Sequence, residues 1–447
     1  MKRILVAALA LLLICSCFVP VFSLEGEKKT ILSLGDSISA GYGLKSESDS
    51  FVYDILENAV VMNYAVSGNT ADDVWAQLSD DTNEKFVSAE KILGADIVTI
   101  TCGGNDMMAV LYYKMAEAWN EANPDKEINP NQVLEKLLAG DLSILKAIAP
   151  LFDKSSEKYV IAHKDFDEAL DKYVETLKKI TLYINLINPS CAVIVATQYN
   201  PYSELKGTLF GTVYSGVEDG VCKLNEAIEK NASSSGYMVS QVKSRFDSSK
   251  EKNLCNVDLN TMNFDFHPNE NGHRLLAESF RDAVEKVEYV KCYISHNYEA
   301  LDGGFEEERE EISVVSGVFF TAKAKTQEGF TSLSRDDSVK SLWATNGAEL
   351  KLYYSRNTYS ISWCDGETVI TKEYKYGEKI TAETLKKKGY KFLGWDKEVP
   401  EIQPAKNLDF EAVWEEKSYS DQIAVGLAIV ACLLSVAFLL KRRKNKK

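Results

Sequence analysis

The stretch of sequence that decides the fold is TILSLGDSISAGYGL, at residues 30–44. It begins with the apolar run Thr30–Leu34, which predicts a buried strand, and it continues directly into Gly35-Asp36-Ser37. A serine just past a strand and at the start of a helix lies where the helix dipole favours a developing negative charge. On this stretch alone, Ser37 could be either a nucleophile or only the N-cap of a helix.

The same alternation of strand-like and helix-like segments continues to about Cys292. Short apolar runs rich in Val and Ile predict four further strands, at Val60–Tyr64, Asp96–Thr101, Ala192–Thr197 and Tyr237–Val242. Apolar residues recur at three- and four-residue steps between 166 and 184 and between 213 and 228, which is typical of packed helices. This pattern indicates an α/β fold with a parallel sheet covered on both faces. In such sheets the functional site lies at the carboxyl ends of the strands.

Three further motifs lie at predicted strand ends or in a late loop. Ser67-Gly68-Asn69-Thr70 follows the second strand, Gly103-Gly104-Asn105-Asp106 follows the third, and Asp265-Phe266-His267-Pro268 comes near the end of the region. Taken in order with the block at 35–37, they resemble the SGNH (GDSL) hydrolase family of esterases and lipases, over roughly residues 28–290. The chain has no GxSxG motif, which argues against the α/β-hydrolase fold.

The resemblance implies a flavodoxin-like three-layer α/β/α domain over residues 28–292 and an ester hydrolase that needs no cofactor or metal. Ser37 would be the nucleophile, His267 the general base, and Asp265 the residue that orients the histidine. The oxyanion hole would consist of the Ser37 amide, the Gly68 amide and the Asn105 side chain.

The spacing between the aspartate and the histidine departs from the family pattern. The family usually places its aspartate three residues before the histidine, and Phe264 occupies that position here. We therefore expect either that Asp265, two residues before His267, completes a triad or that His267 works in a dyad with a backbone carbonyl. Of the other candidates, His273 is predicted to be a structural residue on a helix, and Cys102 a buried residue at a strand end with no base placed for it.

The segment from Met107 to about His163 interrupts the alternation and is predicted to be a helical insertion. It could be a structural subdomain or a lid over an apolar pocket. Apolar residues recur at helical steps along its first part, at Met107, Met108, Leu111, Tyr112 and Met115. We expect this face to line the substrate pocket and hydrolysis to improve from acetyl towards medium-chain esters.

The two ends of the chain predict an extracellular protein anchored in the cell membrane. Residues 1–23 carry two basic residues, an apolar run and a small residue, as in a secretory signal peptide. Lipid attachment at Cys17 is an alternative use of the same segment. The eighteen uncharged residues 423–440 are followed by a basic tail at 441–447, which predicts a membrane span with a cytoplasmic end.

The composition changes after Cys292. The acidic run Phe305–Glu311 predicts either a solvated linker, at 293–311, or an exposed face. Residues 357–417 alternate apolar and polar positions and resemble the bacterial cell-surface repeats of the Listeria–Bacteroides type. A degenerate copy is predicted at 312–356. The resemblance implies β-rich spacers or surfaces for contacts at the cell surface, with no catalytic residues.

Composition narrows the possible functions. The formal net charge of −15 argues against binding to nucleic acid. The cysteines outside the two terminal segments form no CxxC pair, which argues against a zinc ribbon. We expect a membrane-anchored extracellular esterase or lipase whose substrate is a small-molecule, lipid or acylated glycan ester. Two alternatives stay open: a deacetylase of cell-surface or dietary glycans, and a non-catalytic adhesion protein.

Overall fold

The computed structural model describes residues 28–138, 141, 143–208, 211–258, 260, 261, 263–417 and 419–444. These residues form two compact units. The first unit contains the described residues up to Cys292 together with 313–320 and 342–348. The second unit contains 293–312, 321–341 and the residues from 349 onward. The predicted signal peptide, residues 1–23, lies outside the described residues.

The first unit is built on a sheet of five parallel strands. These strands are β1 (Thr30–Gly35), β2 (Val60–Asn63), β3 (Ile97–Thr101), β4 (Ala192–Ala196) and β5 (Met238–Ser240). Their order is β2-β1-β3-β4-β5, and every neighbouring pair is parallel. This is the flavodoxin-like order of a doubly wound sheet. The predicted parallel sheet is confirmed, with strand ends that shift by at most two residues.

Helices and a short hairpin complete the first unit. The helices are α1 (Ser37–Ala40), α2 (Ala71–Ser79), α3 (Ala89–Leu93), α4 (Gly104–Ala122), α5 (Pro130–Leu138), α6 (Ser143–Ile148), α7 (Glu157–Ile187), α8 (Gly211–Ser235), α9 (Val242–Ser248) and α10 (Glu270–Val284). Short 3-10 helices lie at Glu47–Asp49, Phe51–Tyr53, Ala149–Leu151 and Ser203–Leu205. The strands β6 (Cys255–Asp258) and β7 (Asn263–Pro268) pair in antiparallel fashion.

The core of this unit lies on both faces of the sheet. Alternate residues of a strand point to opposite faces. In β1, Leu32 and Leu34 pack in one buried cluster with residues of α2, α7 and α8. Ile31 packs in a second cluster, with Phe51 and residues of α10. The result is a three-layer α/β/α arrangement.

The predicted insertion is helical, but it begins at Gly104, three residues earlier than expected. It comprises α4, α5, α6 and the first turns of α7, and it has a small core of its own that includes Met115, Trp119 and Ile144. Helix α7 then runs back to the sheet, where the Tyr173 hydroxyl donates a hydrogen bond to the carbonyl of Cys102 (3.1 Å). The long helix therefore ties the insertion to the end of β3.

The strands that follow α10 form the β-rich part of the chain. They are β8 (Tyr289–Glu299), β9 (Phe305–Val315), β10 (Phe319–Thr321), β11 (Phe330–Leu333), β12 (Ser341–Trp343), β13 (Glu349–Arg356), β14 (Thr358–Cys364), β15 (Val369–Lys375), β16 (Tyr390–Trp395) and β17 (Leu408–Glu416). Two four-stranded sheets result, in the orders β11-β13-β8-β9 and β15-β14-β17-β16, and β10 pairs with β12. The second four-stranded sheet buries Trp363 and Phe410.

Two predictions for this region are wrong. Residues 293–311 are not a linker, because most of them lie in β8 and β9. The acidic run is an exposed edge strand, which agrees with the alternative prediction of an exposed face. Glu308 in this strand pairs with Lys325 (2.8 Å), and charged side chains are common on such edges. The segment 312–356 is not a separate repeat, because 313–320 and 342–348 belong to the first unit.

The last helix of the described residues is α11 (Tyr419–Lys444), which covers the predicted membrane span at 423–440. Within the part of the chain that the structure describes, no helix is both long and apolar enough to cross a membrane. The predicted membrane span is therefore not supported by the structure.

Candidate active site

Ser37 lies at the carboxyl end of β1, as the first residue of α1. Asp36 caps this helix, because its Oδ1 accepts a hydrogen bond from the Ile38 amide (3.0 Å). The preceding turn requires glycine: Gly35 has a φ of +135°, and a Cβ there would lie 2.3 Å from the carbonyl oxygen of Thr101. The local sequence thus fixes the serine at the edge of the sheet, where it is 7% exposed.

The structure brings Ser37, His267 and Asp265 into one hydrogen-bonded row. Ser37 Oγ lies 3.0 Å from His267 Nε2, and His267 Nδ1 lies 2.5 Å from Asp265 Oδ1. A carboxylate only accepts, so Nδ1 carries the proton and Nε2 presents its lone pair to the serine hydroxyl. The His267 amide also donates to Asp265 Oδ1 (3.1 Å), so the chain folds back and the two-residue spacing suffices. Of the two expectations for this histidine, the geometry favours the triad.

The carboxyl group of Asp265 is held in its ionised form. Burial by itself would raise the pKa of Asp265, but hydrogen bonds from the side chain and backbone of His267 outweigh it and hold that pKa below its usual value. The negative charge therefore persists at neutral pH. It keeps the proton of His267 on Nδ1.

Asn256 and Gly43 also support Asp265, and the sequence motifs did not reveal these roles. Asn256 lies in β6, and its Nδ2 donates to Asp265 Oδ2 (3.4 Å). Gly43 leaves room for that amide, because a Cβ at position 43 would lie 3.0 Å from Asn256 Nδ2. Asn256 belongs to none of the four sequence blocks, and only the pairing of β6 with β7 brings it to the site.

Aromatic rings flank the histidine on two sides. The ring centroids of Tyr42 and Phe266 lie 4.3 Å and 4.4 Å from that of His267. The hydroxyl of Tyr199 donates to the carbonyl of Phe266 (3.1 Å). These contacts limit rotation of the imidazole and shield it from bulk water. His267 is therefore oriented towards Ser37 before a substrate binds.

Two of the three predicted oxyanion donors, Gly68 and Asn105, are joined through a single loop. Asn105 occupies the first turn of α4, and its Nδ2 donates to the carbonyl of Asn69 (2.9 Å). Gly68 immediately precedes Asn69 and has a φ of +90°, in the region that glycine favours. A carboxamide has two N–H groups, so one of those on Asn105 can serve a ligand while the other holds the loop.

Two further carboxyl groups lie beneath the site. Burial raises the pKa of Asp36 to about 7 and that of Asp106 to about 6, although each accepts backbone hydrogen bonds that oppose the shift. Both oxygens of Asp106 accept from the Ala71 amide (3.1 Å each), which anchors the start of α2. These carboxyl groups hold the loops that present the candidate site residues.

The positions of His273 and Cys102 agree with the roles predicted for them. His273 is buried in α10, and its Nδ1 accepts a hydrogen bond from the Phe51 amide (3.1 Å). Burial lowers the pKa of His273 to about 4, so it is neutral where it packs. Burial also raises the pKa of the Cys102 thiol well above its ordinary value, which disfavours the reactive thiolate.

A mainly apolar cavity of about 470 Å³ opens beside Ser37 and Asn105. Its walls come from α4, α7 and α8, and its floor from the loop after β4. The predicted pocket face is correct for Met107, Met108 and Leu111, which line this cavity. It is wrong for Tyr112 and Met115, because Met115 lies in the core of the insertion and Tyr112 packs against that core. A helical period identifies a buried face, but it does not distinguish a cavity wall from a packed core.

Residues 33–275 match the GDSL-like lipase/acylhydrolase family, and this range includes most of the sheet and the whole candidate site. The chain belongs to this family. It is accordingly an ester-acting hydrolase, as the sequence blocks predicted. In this GDSL-like chain the four blocks that carried the resemblance all lie within the matched range.

Similar proteins include enzymes and one uncharacterised relative. YpmR, an uncharacterised protein of Bacillus subtilis (strain 168), is 23% identical over 300 residues, which covers 63% of this chain and 95% of that protein. An extracellular lipase from Streptomyces rimosus is 20% identical, with a TM-score of 0.36. The match covers 57% of this chain and 99% of the lipase. An acetyl xylan esterase from Geobacillus stearothermophilus is 18% identical, with a TM-score of 0.34. The match covers 58% of this chain and 95% of the esterase.

Proposed function

We propose that this GDSL-like hydrolase cleaves carboxylic esters through a covalent acyl-enzyme formed on Ser37. The observation that carries this proposal is the hydrogen-bonded row of Ser37, His267 and Asp265 at the carboxyl edge of the parallel sheet. Ser37 Oγ attacks the acyl carbon while His267 Nε2 takes the hydroxyl proton. His267 then gives that proton to the departing alcohol, and water repeats the sequence to release the acid.

Asp265 fixes the tautomer of His267 and stabilises the imidazolium that forms during each proton transfer. The negative charge on the tetrahedral oxygen is met by the Ser37 amide, the Gly68 amide and the free N–H of Asn105. Support for this assignment comes from the contact between Asn105 and the loop that contains Gly68. One such donor is worth on the order of 10²–10³ in rate.

The substrate we propose is an ester with a medium or long acyl chain. The cavity beside Ser37 has room for roughly fifteen water-sized groups, at about 30 Å³ each. Each buried CH₂ contributes about 0.8 kcal/mol, so four extra carbons would favour binding by roughly two orders of magnitude. An extracellular location belongs to the proposal as well, and it rests on the charge and apolar pattern of residues 1–23.

The test is hydrolysis of aryl esters from acetyl to palmitoyl by the full chain and by two variants. Ser37→Ala should retain no more than a few per cent of the activity with unchanged circular dichroism. Ser39→Ala, which removes a buried hydroxyl from the same short helix, should stay active.

More than a few per cent of activity in Ser37→Ala would overturn the nucleophile assignment. A wild type that prefers acetyl esters would favour deacetylation of glycans at the same site. A wild type with no activity on any ester would favour the non-catalytic adhesion protein.

A further inference from the structure

The cavity has a defined far end, because α4 and α7 run antiparallel along it. Tyr173 of α7 reaches Cys102, next to the start of α4. Ten residues into α4, Lys114 pairs with Asp165 of α7 (2.6 Å). At 1.5 Å per residue, that pair lies roughly 15 Å from Gly104 and the edge of the sheet. A chain that enters beside Ser37 therefore extends towards the first turns of α7.

The walls between these two ends are largely apolar. Met108 and Leu111 of α4, Phe166 of α7, and Val217 and Val221 of α8 line the cavity. These five side chains suit the methylene groups of an acyl chain and provide no partner for a polar group. A polar side chain at the far end therefore has a strong effect on which chains can be bound there.

His163 and Tyr159 occupy that far end, and both line the cavity. Their ring centroids lie 3.7 Å apart, and His163 Nδ1 lies 2.9 Å from the carbonyl oxygen of Tyr159. A carbonyl only accepts, so Nδ1 carries the proton and Nε2 presents a lone pair. Within the described residues, neither His163 Nε2 nor the Tyr159 hydroxyl has a hydrogen-bond partner in the protein.

We propose that the cavity binds an acyl chain that carries a hydroxyl group towards its far end, and that His163 Nε2 accepts the hydrogen bond from that hydroxyl. The inference rests on the proposed esterase function. A hydroxyl fits better than a ketone, because a ketone has no proton to donate to Nε2. The Tyr159 hydroxyl can donate to the same oxygen. His163 is a specificity-determining residue in this role and takes no part in the chemical step.

The charges around this end disfavour a terminal carboxylate. Lys114 is paired with Asp165 and Glu117, at 2.6 Å and 2.9 Å. Lys154 is paired with Asp219 (3.3 Å). These lysines offer no unpaired positive charge to an acid at the end of the chain, whereas a neutral hydroxyl needs none.

The experiment compares kcat/KM for aryl decanoate and aryl ω-hydroxydecanoate. We expect the ratio of the hydroxylated to the plain ester to fall about fivefold in His163→Phe, which keeps an aromatic ring but removes the acceptor. His163→Gln, which restores an acceptor oxygen, should recover part of the ratio. Val160→Phe, on the exposed side of the same helix, should leave it unchanged.

A binding measurement separates failure of this inference from failure of the proposed function. Calorimetry on full-length Ser37→Ala and on Ser37→Ala with His163→Phe would compare methyl decanoate with methyl ω-hydroxydecanoate. The ratio of the affinity for the hydroxylated ester to that for the plain ester should be about fivefold higher in Ser37→Ala than in the double variant. The hydroxyl site would be overturned if both proteins showed the same ratio of affinities for the hydroxylated and the plain ester. It would also be overturned if an active His163→Phe kept the wild-type ratio of kcat/KM for these esters. Either result leaves the esterase assignment unchanged. A wild type that hydrolyses neither ester overturns the esterase assignment, and calorimetry then decides the hydroxyl site.

Discussion

At the scale of single residues, the orientation of His267 depends on Asp265. Replacing Asp265 by Asn substitutes an amide for the carboxylate that holds the proton on Nδ1, so the wrong tautomer becomes favourable. We expect Asp265→Asn to lower the turnover number at least tenfold with little change in melting temperature. The control is Asp258→Asn, on the neighbouring strand β6. Near-normal turnover in Asp265→Asn would contradict the triad and favour the dyad of Ser37 and His267.

His273 makes stability depend on pH, although it does not face Ser37. Its pKa is about 4 in the folded protein and about 6.5 when unfolded. Between these values the unfolded chain binds the extra proton, so the free energy of unfolding falls as the pH drops from about 6.5 to about 4. In His273→Gln, that acid-induced loss should shrink by up to about 3 kcal/mol. Denaturant titrations at pH 7 and pH 4.5 test this, and parallel losses in both proteins would contradict it.

The residues that the sequence could identify are those within recognisable blocks. Ser37, His267 and Asp265 come together as expected, although the aspartate lies at an unusual spacing. Asn256 could not be identified, since its role depends on a hairpin partner and not on its neighbours in the chain. Met115 was assigned to the pocket because it shares the helical period of Met108, but it packs in a core.

At the scale of secondary structure, buried strands were predicted well and exposed strands were not. The central strands β1, β3 and β4 are buried on both faces, so they appear in the sequence as nearly continuous apolar runs. Strand β9 carries Glu-Glu-Glu-Arg-Glu-Glu at an exposed edge, where charge conceals the usual alternation. Its pairing with β8 is a tertiary feature, and local propensity does not encode it.

Helix α7 offers a matched pair of substitutions that tests whether the insertion determines the substrate range. Ala162 lines the cavity, whereas Val160 on the same helix is 62% exposed. Ala162→Trp should fill the path of a long chain and lower kcat/KM for palmitoyl esters at least tenfold, with acetyl esters little affected. Val160→Trp should keep the wild-type profile. Identical profiles for the two variants would make the insertion a scaffold only.

At the scale of the whole molecule, the hydrolase unit is not continuous in sequence. Residues 313–320 and 342–348 return to it after the chain has entered the β-rich unit. The Val315 amide donates to the carbonyl of Pro189 (3.1 Å), and the Gly347 amide donates to that of Lys291 (2.8 Å). Val314 and Val318 are buried there. The change of composition suggests a domain boundary at Cys292. A hydrolase domain that ended there would lack the two returning segments.

Truncation tests this arrangement. A chain that starts at Lys28 and ends at Cys292 should melt roughly 5–10 °C below one that starts at the same residue and ends at Asn357, because it loses several buried valines. Differential scanning calorimetry of the two chains measures the difference. Equal melting temperatures would mean that the two returning segments contribute nothing to the hydrolase unit. The sequence could not predict them, because short returning strands leave no compositional boundary.

The most direct measurement of the central claim is where an active-site-directed phosphonate attaches. A fluorophosphonate transfers its phosphorus to an activated serine, with loss of fluoride, and the modified peptide can be located by mass spectrometry. We predict a single adduct on Ser37, formed by the wild type, slowed at least tenfold in Asp265→Asn, and absent in Ser37→Ala. An adduct on another serine, or no adduct with a folded wild-type protein, would contradict the assignment of Ser37 as the nucleophile.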